Sequence, residues 1–260
     1  MTNCLEVRNL TIRFGGLVAI NNISFSIPEG GLIGLIGPNG AGKTTCFNLL
    51  TGVYTPTSGE ILFRGEELHD EAPHRICHLG VARTFQNIRL FKEMTVLENL
   101  LVSLHPERNY GLLSALFALP SFRKREEELR EKAMILLKRM GLDSMAHLQA
   151  KNLPYGAQRK VEIARALATD PHLLLLDEPA AGMNPTETAQ LADLIVGIRK
   201  EFNVTILLIE HDMSLVMKIC EQIHVLDYGE LIASGDPASI RNNPRVIEAY
   251  LGGSLGDAHA

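Results

Sequence analysis

The residues easiest to assign a chemistry are contiguous: Gly37-Pro38-Asn39-Gly40-Ala41-Gly42-Lys43-Thr44-Thr45. They fit G-x-x-x-x-G-K-[ST], in which glycines let backbone N–H groups turn inward around phosphate oxygens. The apolar run before them, Leu32-Ile33-Gly34-Leu35-Ile36, is expected to be a strand buried on both faces. A helix is expected from Lys43 to about Leu50, its N-terminus adding positive potential. There Lys43 is expected to reach the β- and γ-phosphates, and Thr44 to place its hydroxyl on Mg²⁺. Farther along, Leu173-Leu174-Leu175-Leu176-Asp177-Glu178 ends an apolar run in two carboxylates. Asp177 is placed to hold Mg²⁺ through water. Glu178 is placed to polarise an attacking water, a general-base contribution of about 10²–10⁴-fold. Taken alone, such a run is equally a strand ending in a solvated acidic turn; beside a phosphate loop it reads as the second half of a site. Together the two motifs predict binding and hydrolysis of a nucleoside triphosphate.

The elements that must position these groups show in the hydrophobic pattern. Leu5 and Val7, then Leu10, Ile12 and Phe14, then Ile23, Phe25 and Ile27 alternate as strand residues do. From about Ile88 to Arg165 the pattern is helical, with the charged stretch RKREEELREK leading into MILLKRM. Strand–helix alternation then returns. Asn184-Pro185-Thr186-Glu187 predicts a helix start with Asn184 as N-cap, Pro185 at the first position and Glu187 closing a capping box. Leu191, Leu194, Ile195 and Ile198 follow on one face, and Val204 to Ile209 reads as another buried strand. The expected fold is an α/β core interrupted by a helical insertion.

Composition narrows the function. The chain has 260 residues, 46% hydrophobic and 21% charged, enough for a sizeable core. Net charge is −5 and Trp is absent, which argues against nucleic acid held by bulk charge or base stacking. Cys4, Cys46, Cys77 and Cys220 form no CxxC pair and fit a reducing cytosol. MTNCLEVRNL lacks the basic and apolar regions of a secretory signal. The longest apolar stretch, Tyr110 to Phe122, is too short to span a bilayer and contains Pro120.

With these residues in view the chain resembles an ABC-transporter ATPase over nearly its whole length. The resemblance implies a P-loop NTPase of the ABC type: a mixed, mainly parallel core sheet, an antiparallel β subdomain and a helical insertion. It implies one domain over 1–260, with a core of about 1–87 and 166–240, a helical subdomain of about 88–165 and a C-terminal extension from about 236 to 260. Gln86, in Thr84-Phe85-Gln86-Asn87, matches the Q-loop that senses the γ-phosphate and Mg²⁺ and faces the membrane partner. His211, in Glu210-His211-Asp212, matches the switch histidine. Phe14 matches the aromatic that stacks on adenine, although a core strand aromatic is the competing reading. The implied cofactors are ATP and Mg²⁺.

The signature departs from the family. Where Leu-Ser-Gly-Gly-Gln is usual, this chain has Leu153-Pro154-Tyr155-Gly156-Ala157. In the family this loop closes over ATP held by the opposite subunit. Pro154 offers neither a hydroxyl nor a backbone N–H, whereas Gly156 and the helix N-terminus can still donate. Two unlike subunits would then give two unlike sites, the one closed by Pro154-Tyr155 hydrolysing poorly. In Ala180-Ala181-Gly182-Met183-Asn184, Asn also stands where Asp is usual.

LPYGAQRK, EPAAGMNP and the run from Asn243 to Gly252 resemble the larger ATPase subunits of bacterial branched-chain amino-acid importers. That resemblance implies a heterodimer with a second ATPase, two membrane permeases, a periplasmic amino-acid-binding protein reached indirectly, and a peripheral place on the cytoplasmic face of the inner membrane. The segment 104–122 either buries against a partner or forms an internal core helix. The C-terminal tail either regulates or dimerises, or packs on its own domain. ATPases of lipid or lipopolysaccharide export share similar ends and stand as the alternative, against which the altered signature argues. Soluble ABC proteins of DNA repair would need a second nucleotide domain or a long coiled coil. A small-molecule kinase would lack Gln86, the signature helix and His211 in this order.

Overall fold

The computed structural model describes residues 2–68, 70–104 and 120–256, with backbone alone for 120–122 and 252–256. The segment 104–122 therefore lies almost wholly outside the described residues. The chain divides into two compact units, residues 1–86 with 172–260, and residues 87–171.

The first unit contains two sheets. One is antiparallel, in the order β2-β1-β4-β5: β1 (Asn3–Phe14), β2 (Leu17–Pro28), β4 (Ser58–Phe63) and β5 (Glu66–Glu67). The residues from Leu5 to Phe14 form part of one long strand whose pairing with β2 is broken by register shifts. The other sheet runs β10-β9-β3-β8-β7-β6. Its strands are β3 (Leu32–Ile36), β6 (Val81–Arg83), β7 (Leu173–Asp177), β8 (Thr205–Ile209), β9 (Gln222–Asp227) and β10 (Glu230–Gly235). All its pairings are parallel except β9 with β10. This is the expected mixed core with an antiparallel β subdomain. β3, β7 and β8 are buried at every position, as continuous apolar runs require in a sheet covered on both faces.

Helix α1 (Lys43–Leu50) contributes Phe47 and Leu50 to one core with Ile12, Ile20 and Ile27 of the antiparallel sheet and Leu35, Leu175 and Leu207 of the mixed sheet. Other helices here are α2 (Pro73–Leu79), α6 (Pro185–Glu201), α7 (Met213–Ile219), α8 (Pro237–Arg241) and α9 (Pro244–Gly256). The expected start of α6 is present: Asn184 accepts from the Thr186 and Glu187 N–H groups, and Glu187 completes the capping box.

The second unit packs α3 (Val96–Ser103), α4 (Pro120–Arg139) and α5 (Tyr155–Leu167) on one another. Helix does not begin at Ile88 as the periodicity predicts; residues up to Met94 are irregular. The cause is Asn99, fully buried, whose carboxamide accepts from the Phe91 N–H at 3.0 Å and donates to the Phe91 and Thr95 carbonyls at 3.1 and 2.9 Å. A side chain that satisfies loop backbone in this way offers it an alternative to helix. Thr95 then caps α3 with Glu98.

His224 on β9 is 2% exposed, with Nδ1 at 2.9 Å from the Ser234 hydroxyl, and burial pulls its pKa down to about 4. The unfolded chain takes up this proton near pH 6.5, so the folded state binds fewer protons between those values, and stability falls as pH drops through that window. Urea unfolding at pH 7.5 and pH 5 is expected to show a loss of about 2 kcal/mol from this residue, absent in His224→Phe.

Candidate functional site

At the C-terminal end of β3 the chain turns through Gly37, with φ +151°, where an added Cβ would lie 2.1 Å from the Leu226 carbonyl oxygen. Gly42 precedes α1 at φ +102° and its Cβ would meet the Ala19 carbonyl oxygen at 2.9 Å. Neither position admits a side chain, so two of the motif's glycines are demanded by close backbone approach. No side chain caps α1, which leaves its N-terminus to the groove in front of it. The Gly229 N–H donates to the Ala41 carbonyl at 3.0 Å and braces the loop from the β9–β10 turn. Lys43 is buried and folds back, Nζ donating to the Gly37 and Pro38 carbonyls at 2.7 and 2.9 Å. Burial lowers its pKa, with Glu178 and Asp177 opposing that shift.

A groove of about 520 Å³ lies over this loop, lined also by Phe14, Leu17, Val18, Gln86, Glu178 and Tyr228. Phe14 is 44% exposed and meets Tyr54 edge-on at 5.1 Å, so it is not a core aromatic. Asn39 and Thr44 are exposed, Gly40 is exposed, and Pro38 and Thr45 are half-buried along the same loop. Tyr228, which the motifs do not reveal, is largely exposed.

Asp177 and Glu178 stand at the end of β7. Glu178 has φ +45°, a left-handed conformation that costs a non-glycine residue on the order of 1 kcal/mol. Its N–H donates to the Ile209 carbonyl at 2.9 Å. Its carboxylate accepts from Gln86 Nε2 at 2.7 Å and lies 3.7 Å from His211 Nδ1. The three residues expected to act in hydrolysis are therefore gathered around one carboxylate. Glu210, missed in the sequence, arranges this edge. Fully buried, it accepts from the Ala180 N–H at 2.7 Å and the His211 N–H at 3.1 Å, and burial raises its pKa.

Arg83 is a third residue that sequence reading missed. It donates to Asp177 Oδ2 and to Asn48 Oδ1, both at 2.7 Å, and its guanidinium faces the Phe47 and Phe85 rings, each at 5.4 Å. The Asp177 N–H in turn donates to the Thr84 hydroxyl at 3.3 Å. The only sequence signal was a charge at the end of a buried strand.

The five signature residues belong to the other unit. Leu153 is buried, Pro154 is exposed and is the uncapped N-cap of α5, Tyr155 is 44% exposed, and Gly156 and Ala157 are half-buried.

Residues 20–181 match the ABC transporter family, and residues 230–256 match a second family described as branched-chain amino acid ATP-binding cassette transporter. The chain belongs to the ABC transporter family and is one of its ATP-hydrolysing subunits. It is 53% identical to the high-affinity branched-chain amino acid transport ATP-binding protein LivG of Escherichia coli strain K12, covering 95% of this chain and 97% of that one. The crystal structure of the ADP conformation of MJ1267, an ATP-binding cassette of an ABC transporter, superposes with a TM-score of 0.85 at 32% identity, covering 97% of this chain and all of that one. A dimeric post-hydrolysis structure of the cassette MJ0796, bound to ADP and Pi, gives 0.74 at 25% identity, over 90% of this chain and 98% of that one.

Removing one member of a buried ion pair costs about 3–5 kcal/mol, because the remaining charge is left uncompensated. Arg83→Met is therefore expected to destabilise the chain by about that amount in urea unfolding, and Arg83→Met combined with Asp177→Asn to recover most of it.

Proposed function

We propose that this chain powers the import of branched-chain amino acids (leucine, isoleucine and valine) as an ATPase subunit of an ABC transporter. The observation that carries this reading is the match of residues 230–256 to the branched-chain cassette family, joined to 53% identity with LivG over 95% of the chain. LivG, to which the chain is 53% identical, is described as a branched-chain amino acid transport protein and not as a lipid or lipopolysaccharide exporter.

In this reading residues of about 1–87 and 166–240 form the nucleotide-holding core, about 88–165 the helical subdomain and about 236–260 a C-terminal extension; the compact units divide a few residues away, at 86/87 and 171/172. Adenine stacks on Phe14. Lys43 exchanges the Gly37 and Pro38 carbonyls for phosphate oxygens, whose negative charge favours the protonated amine that burial alone disfavours. Backbone N–H groups of the loop, from Asn39 to Thr45, close around the same phosphates.

Among the described residues no cluster of three or more His, Cys, Asp or Glu could hold a metal by itself. The oxygen donors available, the Thr44 hydroxyl, the Gln86 carboxamide and the Asp177 carboxylate through water, suit an ion that keeps water and phosphate ligands, as Mg²⁺ does. When bound, Mg²⁺ supplies charge neutralisation at the phosphates. Glu178, held by Gln86 and near His211, accepts the proton of the attacking water. His211 stands ready to contact the γ-phosphate.

No described helix is long and apolar enough to cross a membrane. In this reading the work of hydrolysis passes through contact with permeases. The assembly we infer has a second, different ATPase subunit, two permeases and, indirectly, a periplasmic binding protein, with this chain peripheral on the cytoplasmic face and no nucleic acid bound. Leu153 to Ala157 face the partner's ATP, while ATP on Lys43 faces the partner's signature.

Glu178→Gln is expected to trap ATP in a closed dimer and to lower turnover by about 10²–10⁴-fold; steady-state turnover at the native rate would remove Glu178 as the base. Uptake of radiolabelled leucine at sub-micromolar concentration tests the substrate. It is expected to be lost when Lys43→Ala replaces the native chain, and uptake that persists would discard branched-chain import.

A further inference from the structure

The altered signature leaves a puzzle that the helical unit itself answers. Of Leu153, Pro154, Tyr155, Gly156 and Ala157, only Tyr155 has a polar side chain, and no side chain caps α5. The Tyr155 hydroxyl accepts from Arg159 Nη2 at 3.1 Å, and the same guanidinium lies 5.9 Å from the ring centroid. Arg159 is fully buried and pairs through Nη1 with Glu162 Oε2 at 2.8 Å. The other oxygen of Glu162 accepts from the Arg89 backbone N–H at 3.2 Å. From the next turn of α5, Arg165 Nη1 donates to the Arg89 carbonyl at 2.5 Å and spreads over Phe91, 5.2 Å from its centroid. Both backbone groups of Arg89 are thus held by side chains of the signature helix.

We propose that Arg159 and Glu162 are positioning residues that tie the Tyr155 hydroxyl to the backbone of Arg89, so that displacement of the chain just behind Gln86 is delivered to the signature. Three features carry this. A buried ion pair adds little net stability over apolar side chains of the same volume, so a fully buried Arg–Glu pair on a helix is better explained by the geometry it enforces. Buried hydrogen-bond chains are stiff, because each broken link leaves a desolvated group unpaired. Arg89, gripped at both its N–H and its carbonyl, cannot shift without carrying α5 or breaking a link. Pro154 stands where the family's signature usually has serine, and Tyr155, held by Arg159, is the one polar side chain of the motif.

The inference rests on the reading above that residues 153–157 face the partner's ATP. It is tested first in a way that does not depend on transport. In the full-length chain, Tyr155→Phe removes one hydroxyl from a half-exposed ring and is not expected to perturb folding. The relay predicts that backbone hydrogen exchange at Arg89 speeds up about tenfold, the effect of one hydrogen bond to a charged group. An unchanged Arg89 amide would overturn the proposal, since a merely local role for Tyr155 would not reach it. The second measurement uses the complete transporter in lipid vesicles and reads ATPase rate with and without leucine-loaded binding protein. Tyr155→Phe and Glu162→Gln are each expected to lower that ratio, and the double variant to be no worse than either single. Losses that multiply in the double variant would show independent residues and refute the relay. Should the native complex show no leucine stimulation, the substrate reading fails, and the Arg89 exchange rate still decides the relay.

Discussion

One register holds the site together. β8 lies between β3 and β7 with both pairings parallel, and its last residue, Ile209, stands opposite Asp177 on one side and Leu35 on the other. Two chain segments far apart in sequence therefore end level with each other. The phosphate loop leaves β3 where the paired carboxylates leave β7, and the Glu178 N–H closes the junction on the Ile209 carbonyl. A ligand between the carboxyl ends of neighbouring parallel strands is the general arrangement in open α/β sheets. A slip of β8 against either neighbour would separate lysine from carboxylate while leaving the hydrophobic content of the core unchanged.

Around that register the fold places charge where solvent cannot screen it. Arg83 compensates Asp177 from β6, and its guanidinium also reaches α1 through Asn48, so strand, carboxylate and phosphate helix share one cation. Among the described residues Glu210 has no basic side chain at hydrogen-bond distance, His211 Nδ1 lying 3.8 Å away; backbone N–H groups from Ala180 and His211 satisfy it instead. The loops after β7 and β8 are thereby fastened to each other, and Glu178 and His211 keep their relation through that link. Preorganised dipoles of this kind need little rearrangement during reaction, the condition under which electrostatic stabilisation is most effective.

The helical unit uses the same physics for a different end. Its buried polar groups Asn99, Arg159 and Glu162, with the half-buried Arg165, act on the irregular chain between Ile88 and Thr95 or on the start of α5. Helical periodicity fails over that segment because Asn99 captures its backbone, and the resulting loop is held by side chains from both α3 and α5. Its conformation is specified by these hydrogen bonds together with the burial of Leu90.

What the sequence determined by itself is the chemistry that lies along the chain. The phosphate loop, the paired carboxylates, the buried strands and the capping box of α6 depend on neighbouring residues, because φ, burial pattern and helix-terminal hydrogen bonds are local properties. The family resemblance followed from the same contiguous runs. What only the tertiary structure decided is which distant groups meet. Arg83 and Asp177 are 94 residues apart, Gln86 and Glu178 92, and Arg89 and Glu162 73. No local pattern marks such pairs. A charge in a strand reads identically whether it faces solvent or a buried carboxylate, and only the register of the sheet and the packing of the helices give it a partner.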